Sequence, residues 1–189
     1  MKSRFISISV FASIFALIAL TNCGQKDHQN HASHDEGAAH DHEKVEEAKL
    51  SLDIDASDYN LELEGTPGML ETYYFLKDAL VATDADIAKK AAKLLAEKSE
   101  GEIKSAAEKI ISSEDVETQR AEFENISKEL FEKVKNEGEN SEEVYQQYCP
   151  MAFDNKGAFW LSKKEEVKNP YFGDKMLNCG YVKETLAAN

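Results

Sequence analysis

The chain has 189 residues, with 22 Lys and Arg against 36 Asp and Glu, a net charge of −14. That length suits one domain with a real core, and a charge of that sign excludes binding to nucleic-acid phosphates, which needs an excess of Lys and Arg. Anionic lipid headgroups repel such a surface too, so any hold on a membrane must come from an anchor and not from a basic patch.

Residues 1–22 read as a signal peptide. Lys2 and Arg4 form a short positive start, and Phe5 to Leu20 is an apolar run interrupted by Ser7, Ser9 and Ser13, too short to span a bilayer. The run ends in Leu20-Thr21-Asn22-Cys23-Gly24, which resembles a bacterial lipobox except that Asn22 stands where a small residue is usual. The resemblance implies an acylated Cys23, and several acyl chains at ~0.8 kcal/mol per buried methylene make a stable anchor. Ordinary signal cleavage, leaving Cys23 as a free thiol, is the alternative. Either way the rest of the chain faces outside the cytoplasm, in the cell envelope, with a periplasmic setting expected and the choice of membrane open. Removing residues 1–22 takes away two basic residues and no acid, so the remainder carries 20 Lys and Arg against 36 acids, a net of −16.

Residues 23–47 read as a polar tether. All five histidines of the chain lie here, His28, His31, His34, His40 and His42, interleaved with Asp27, Asp35, Asp41 and Glu43. The segment has too little apolar surface to fold alone. Imidazole with carboxylate suits Cu(II), zinc or nickel; the spacing matches no preformed site, so such a site orders on binding, and a tether whose histidines only tune solubility is the alternative. Residues 48–65 form a segment of mixed pattern: Leu50 to Ile54 alternates as an extended strand does, and 55–64 fits no single period.

From Thr66 the pattern is helical. Thr66 is a candidate N-cap with Pro67 in the first turn, followed by Leu70, Tyr73, Tyr74, Leu76, Lys77, Leu80 and Val81 at helical spacing. Thr83 or Asp84 caps a second helix with Ile87, Ala88, Ala91, Leu94 and Leu95 inward. A third, after Gly101, carries Ile103, Ala106, Ala107, Ile110 and Ile111. A fourth runs from about Asp115 to Asn136, with Val116, Phe123, Ile126, Leu130, Phe131 and Val134, and stops at Gly138. Short links make neighbours antiparallel. The expected fold is therefore all-α, an up-and-down bundle of about four helices over residues 66–189, closed by an irregular aromatic-rich C-terminal lobe. In that lobe Ser141 to Tyr148 reads as one or two helical turns, with tight turns at Asn155-Lys156-Gly157 and Asn169-Pro170.

The lobe carries the chemistry. Cys149-Pro150-Met151 is answered by Met176-Leu177-Asn178-Cys179-Gly180. Two thiols, each with a thioether two or three residues away, are a soft ligand set of the kind that selects Cu(I). Trp160 is a candidate cation–π cap over such an ion. In an oxidising compartment the same two cysteines can instead form a disulfide, closing a loop worth roughly 3–4 kcal/mol, with both methionines and Trp160 then in the core. A disulfide removes both thiolates, so the two outcomes compete.

Several stretches together resemble the bacterial domain of unknown function 3347. They are Tyr148-Cys149-Pro150-Met151-Ala152, Gly157-Ala158, Trp160-Leu161-Ser162, Asn169-Pro170-Tyr171-Phe172-Gly173, Met176-Leu177 and Cys179-Gly180, with Tyr74, Leu76 to Val81, and Gln119-Arg120 with Phe123 upstream. The resemblance covers about residues 66–182. That domain occurs in secreted or lipid-anchored proteins and fused to periplasmic adaptor subunits of heavy-metal efflux pumps, and Cys-Pro-Met is similar to short heavy-metal-binding modules of such pumps. The resemblance implies a helical bundle with a closing lobe and a link to copper or other heavy-metal homeostasis, with an efflux adaptor or another envelope protein as partner. Catalysis is not expected. No His lies beyond residue 42, so no Ser/His/Asp or Cys/His pair is available in the folded part; no Cys-x-x-Cys redox motif and no Gly-rich phosphate loop is present.

Overall fold

The computed structural model describes residues 53–189. Cys23, the five histidines and the signal segment lie outside the described residues. The described part opens with a single 3-10 turn, Ala56–Asp58, held by Asp55 accepting from the Ser57 N–H at 2.9 Å. Four helices follow: α1 Gly65–Val81, α2 Ala85–Lys98, α3 Gly101–Ser112 and α4 Val116–Glu137. No helix among the described residues is long and apolar enough to cross a membrane.

Their ends are set by local chemistry. Asp84 caps α2, accepting from the Asp86 and Ile87 N–H groups, while Thr83 turns the chain with a φ of 58°. Asp115 caps α4 through the Thr118 N–H, and Gly138 ends it in the left-handed region, its N–H on the Val134 carbonyl. The start of α1 differs from expectation. Glu64 stands at the N-cap and makes no side-chain cap. Thr66 lies within the helix, and its hydroxyl donates to Glu137 at 2.6 Å, tying the start of α1 to the end of α4.

Links of two or three residues make each helix pack on the next, and α4 returns against α1. Ala88, Ala91, Ala92 and Ala107 are fully buried and let α2 and α3 approach closely, while Leu76, Leu80, Phe123, Ile126 and Leu130 fill the centre. α1 is buried nearly all round, from Tyr73 through Leu80, because it meets both α2 and α4.

The C-terminal lobe corrects the all-α expectation. It is a three-stranded antiparallel sheet, β1 Val144–Cys149, β2 Ala158–Ser162 and β3 Tyr181–Leu186, in the order β2-β1-β3. The stretch read as helical turns is the central strand. Valine and tyrosine favour it, and its alternation is hidden because residues on both of its faces are buried, Gln146 and Gln147 among them. A central strand covered on both faces does not show the polar-apolar period of a half-exposed one. Lys183 bulges out between Val182 and Glu184, which pair with the successive residues Gln147 and Gln146. The link from β1 to β2 contains three successive non-glycine residues with positive φ, Phe153, Asp154 and Asn155.

The edge of β2 that faces the helices is closed by two phenols. The Tyr73 hydroxyl accepts from the Leu161 N–H at 3.0 Å and pairs with Ser127 on α4 at 2.7 Å. The Tyr171 hydroxyl donates to the Phe159 carbonyl at 2.6 Å. Burial holds both phenols neutral, far above the usual tyrosine range. Tyr73→Phe therefore leaves the buried Leu161 N–H without a partner. It is expected to lower stability by about 1–3 kcal/mol, read as a lower urea midpoint at unchanged m.

Candidate metal centre at Cys149 and Cys179

Cys149 is the last residue of β1, paired opposite Ala158, with 0 % of its surface exposed. Pro150 follows and, having no N–H, cannot extend the ladder. Cys179 stands two residues before β3 on the other side of the central strand, half-buried. Both are free thiols, and their Sγ atoms lie 2.9 Å apart. The structure thus brings together the two cysteines that the sequence singled out. Among the described residues there is no group of three or more His, Cys, Asp or Glu side chains that could hold a metal ion, so any further ligand must be a thioether or come from elsewhere.

The loop carrying Cys179 is organised by one buried side chain, Asn169. Its backbone N–H donates to the Leu177 carbonyl at 2.8 Å, and its Oδ1 accepts from the Tyr171 N–H at 2.8 Å. Its Nδ2 donates to the Cys179 carbonyl, again at 2.8 Å. The Cys179 N–H donates in turn to the Met176 carbonyl at 3.0 Å. Gly180 then crosses Trp160 so closely that a Cβ there would stand 3.0 Å from the indole and 3.0 Å from the Tyr148 carbonyl.

Trp160 is fully buried, its Nε1 donating to Gln147 at 2.8 Å and its ring edge-on to Tyr171 at 5.9 Å. Gln147 also gives its amide to the carbonyls of Lys164, Glu165 and Glu166. Trp160 is therefore packed as core beside the cysteine loop. The two methionines are placed differently: Met151 is 46 % exposed and Met176 is half-buried. Met151 is not the core filler that a disulfide-only lobe leads one to expect.

The hydrogen bond and the charge shared with Cys149, together with burial, push the Cys179 thiol up to about 11. At neutral pH the Cys179 thiol is protonated and a soft cation must displace that proton. The donor chemistry fits Cu(I) or another thiophilic ion. Two thiolates on one tetrahedral ion with bonds of about 2.3 Å stand about 3.8 Å apart, whereas a disulfide needs about 2.05 Å. The observed separation stands between the two, so either outcome needs a sub-ångström shift of the Cys179 loop.

Two positioning residues were not singled out from sequence as part of the site. Asn169 was visible as a turn former, and an Asx pattern of Oδ1 to the N–H two residues on is its usual use. Arg120 lies on the same helical face as Phe123, Ser127, Leu130 and Val134. A lone cation on an inward stripe calls for carbonyl partners, and Pro170 beside Asn169 is one of them.

A family model described as "Protein of unknown function (DUF3347)" matches residues 69–142. The resemblance to that domain is shown over α1 to α4 and the approach to β1. The match stops before Cys149, so the cysteine pair lies beyond the matched stretch, although the quoted C-terminal motifs extended the resemblance to about residue 182. No curated protein and no solved structure matches the chain.

Proposed function

We propose that this chain, which carries the DUF3347 domain over residues 69–142, is a lipid-anchored, extracytoplasmic metal-binding protein that takes copper as Cu(I). Cys149 and Cys179 would hold the ion, with Met151 and Met176 as soft neighbours. The observation that carries this reading is the convergence of the two thiols at 2.9 Å, with the exposed thioether of Met151 two residues along the chain from Cys149. Soft sulfur selects Cu(I) over the harder cations, and an ion held there remains within reach of a partner's ligands. The His-rich tether, from His28 to His42, is the complementary site for Cu(II), zinc or nickel. The net charge of −16 beyond residue 22 raises the local cation concentration. The role is one of binding and buffering in heavy-metal homeostasis or efflux, with no catalysis, beside an efflux adaptor or another envelope protein, and Cys23 supplies the membrane anchor.

A second reading is favoured by the complete burial of Cys149 and Trp160. In it the cysteines form a disulfide that staples the lobe, and the domain is an interaction module without a metal site. The chain with Cys23→Ser, which leaves two thiols, separates the readings. With copper binding, reduction yields two free thiols and anaerobic Cu(I) addition yields one retained ion by mass spectrometry. Met151→Leu weakens retention without loss of folding. Affinity climbs with pH up to about 11, because each Cu–S bond at Cys179 displaces a proton. A chain with no free thiols before reduction, and with no copper uptake after it, is stapled by Cys149 and Cys179 and not metal-binding.

A further inference from the structure

A cleft lies away from the cysteine pair, between the segment around Ala56–Asp58, helix α1 and the loop after β2, with a volume of about 630 Å3. That is the size of an ordinary small-molecule site. Its floor is unusual. Tyr74 is 4 % exposed, and its hydroxyl makes no hydrogen bond among the described residues. Lys77 is 7 % exposed and has one ion-pair partner, Asp78, at 2.7 Å. Asp78 is already committed, because its second oxygen accepts the Tyr59 hydroxyl at 2.7 Å. An ammonium carries three donors and a phenol one, so the floor presents more N–H and O–H groups than the protein satisfies. Among the described residues the one fully buried side-chain atom without a partner is Gln119 Oε1, so the Tyr74 hydroxyl and the Lys77 ammonium open onto the cleft, where a ligand or water completes them.

We propose that this cleft binds a small organic molecule through a carboxylate or phosphate group seated on Tyr74 and Lys77. The rest of the lining suits such a molecule. Ile54, Val81 and the Tyr59 ring offer apolar surface to its body. Lys163, whose ammonium lies 5.0 Å from the Tyr59 ring centre, and Lys164 stand at the mouth. Lys168 is balanced there by Glu166 at 3.2 Å. Asp53 and Asp58 also line the cleft, so its formal charges cancel, and selection rests on the Tyr74 and Lys77 donors that open onto it and not on a long-range field. Burial raises the Tyr74 phenol far above its ordinary range, which keeps it a donor at every physiological pH. This inference is independent of the copper reading.

The test is titration of the chain with Cys23→Ser by calorimetry and NMR, using benzoate, phenyl phosphate and the uncharged benzamide as probes. Benzoate or phenyl phosphate is expected to bind at one to one while benzamide does not, and the stronger of the two names the acid class. Lys77→Met and Tyr74→Phe each weaken that binding by about tenfold or more, the range for hydrogen bonds to charged groups. Tyr74→Phe unfolds at the same urea concentration as the parent, because its hydroxyl has no partner to lose. Absence of binding by both acids overturns the proposal. Binding that neither variant weakens, or that benzamide matches, overturns it as well.

Discussion

Arg120→Met is expected to lower stability by about 3–5 kcal/mol, a fall in melting temperature of roughly 10–20 °C. Arg120 is 2 % exposed and its guanidinium binds in several directions at once. Nε donates to the Pro170 carbonyl at 2.8 Å, Nη2 to the Leu80 carbonyl and the Thr83 hydroxyl at 3.1 Å each, and Nη1 to Glu117 at 2.7 Å. Helix α4, the α1–α2 turn and the Asn169-Pro170 turn are thereby fastened to one planar group. The Glu117 contact contributes little, because that carboxylate is largely in solvent; the loss comes from the carbonyl bonds, which methionine cannot replace. Arg120→Lys keeps the charge but offers a single point in place of a fork, so it recovers only part of the loss. Pro170 adjoins Asn169, so the same substitution should speed alkylation of Cys179 before the fold is lost. Thermal unfolding with a timed alkylation assay checks both effects, and a loss below about 1 kcal/mol would show that the fork is not what joins these turns.

How much of this was legible in the chain follows from what each signal measures. The helices were readable because Asp84, Asp115 and Gly138 act locally, through their own backbone neighbours, and because apolar spacing reports a buried face. The sheet was not, since β1 is covered on both faces and carries two buried glutamines, one of which, Gln147, is satisfied by partners distant in sequence. The cysteine pair was visible from ligand chemistry alone, and its convergence is a fact of the fold. The exposure of Met151 was invisible, because Met and Trp have the same prior for the core and only Trp160 follows it. The cleft was invisible for a different reason: its walls come from segments more than eighty residues apart, and Lys77 looked like one more helical lysine.

Asn169→Asp tests most sharply whether the Cys179 loop is held as the structure has it. The buried amide faces the Cys179 carbonyl with its donor end and the Tyr171 N–H with its acceptor end. Aspartate keeps the second bond and turns the first into two acceptors in contact. An ionised carboxylate there costs about 2–4 kcal/mol, and the group responds by taking up a proton, with a folded pKa above its unfolded value of about 3.9. The sign then follows from linkage. Below pH 4 the protonated acid donates to Cys179 and the variant approaches the parent, and stability is lost as the pH rises through the folded pKa, because the unfolded chain releases the proton first. Asn169→Ala loses about 1–3 kcal/mol with no such pH dependence. Urea midpoints from pH 3.5 to 8 distinguish the two variants, and the rate of Cys179 alkylation reports the loop itself. Both variants should release the thiol at neutral pH, since neither can hold the Cys179 carbonyl there. Flat profiles for both variants, with an unchanged alkylation rate, would mean that the loop is positioned by the packing of Gly180 on Trp160 and not by Asn169.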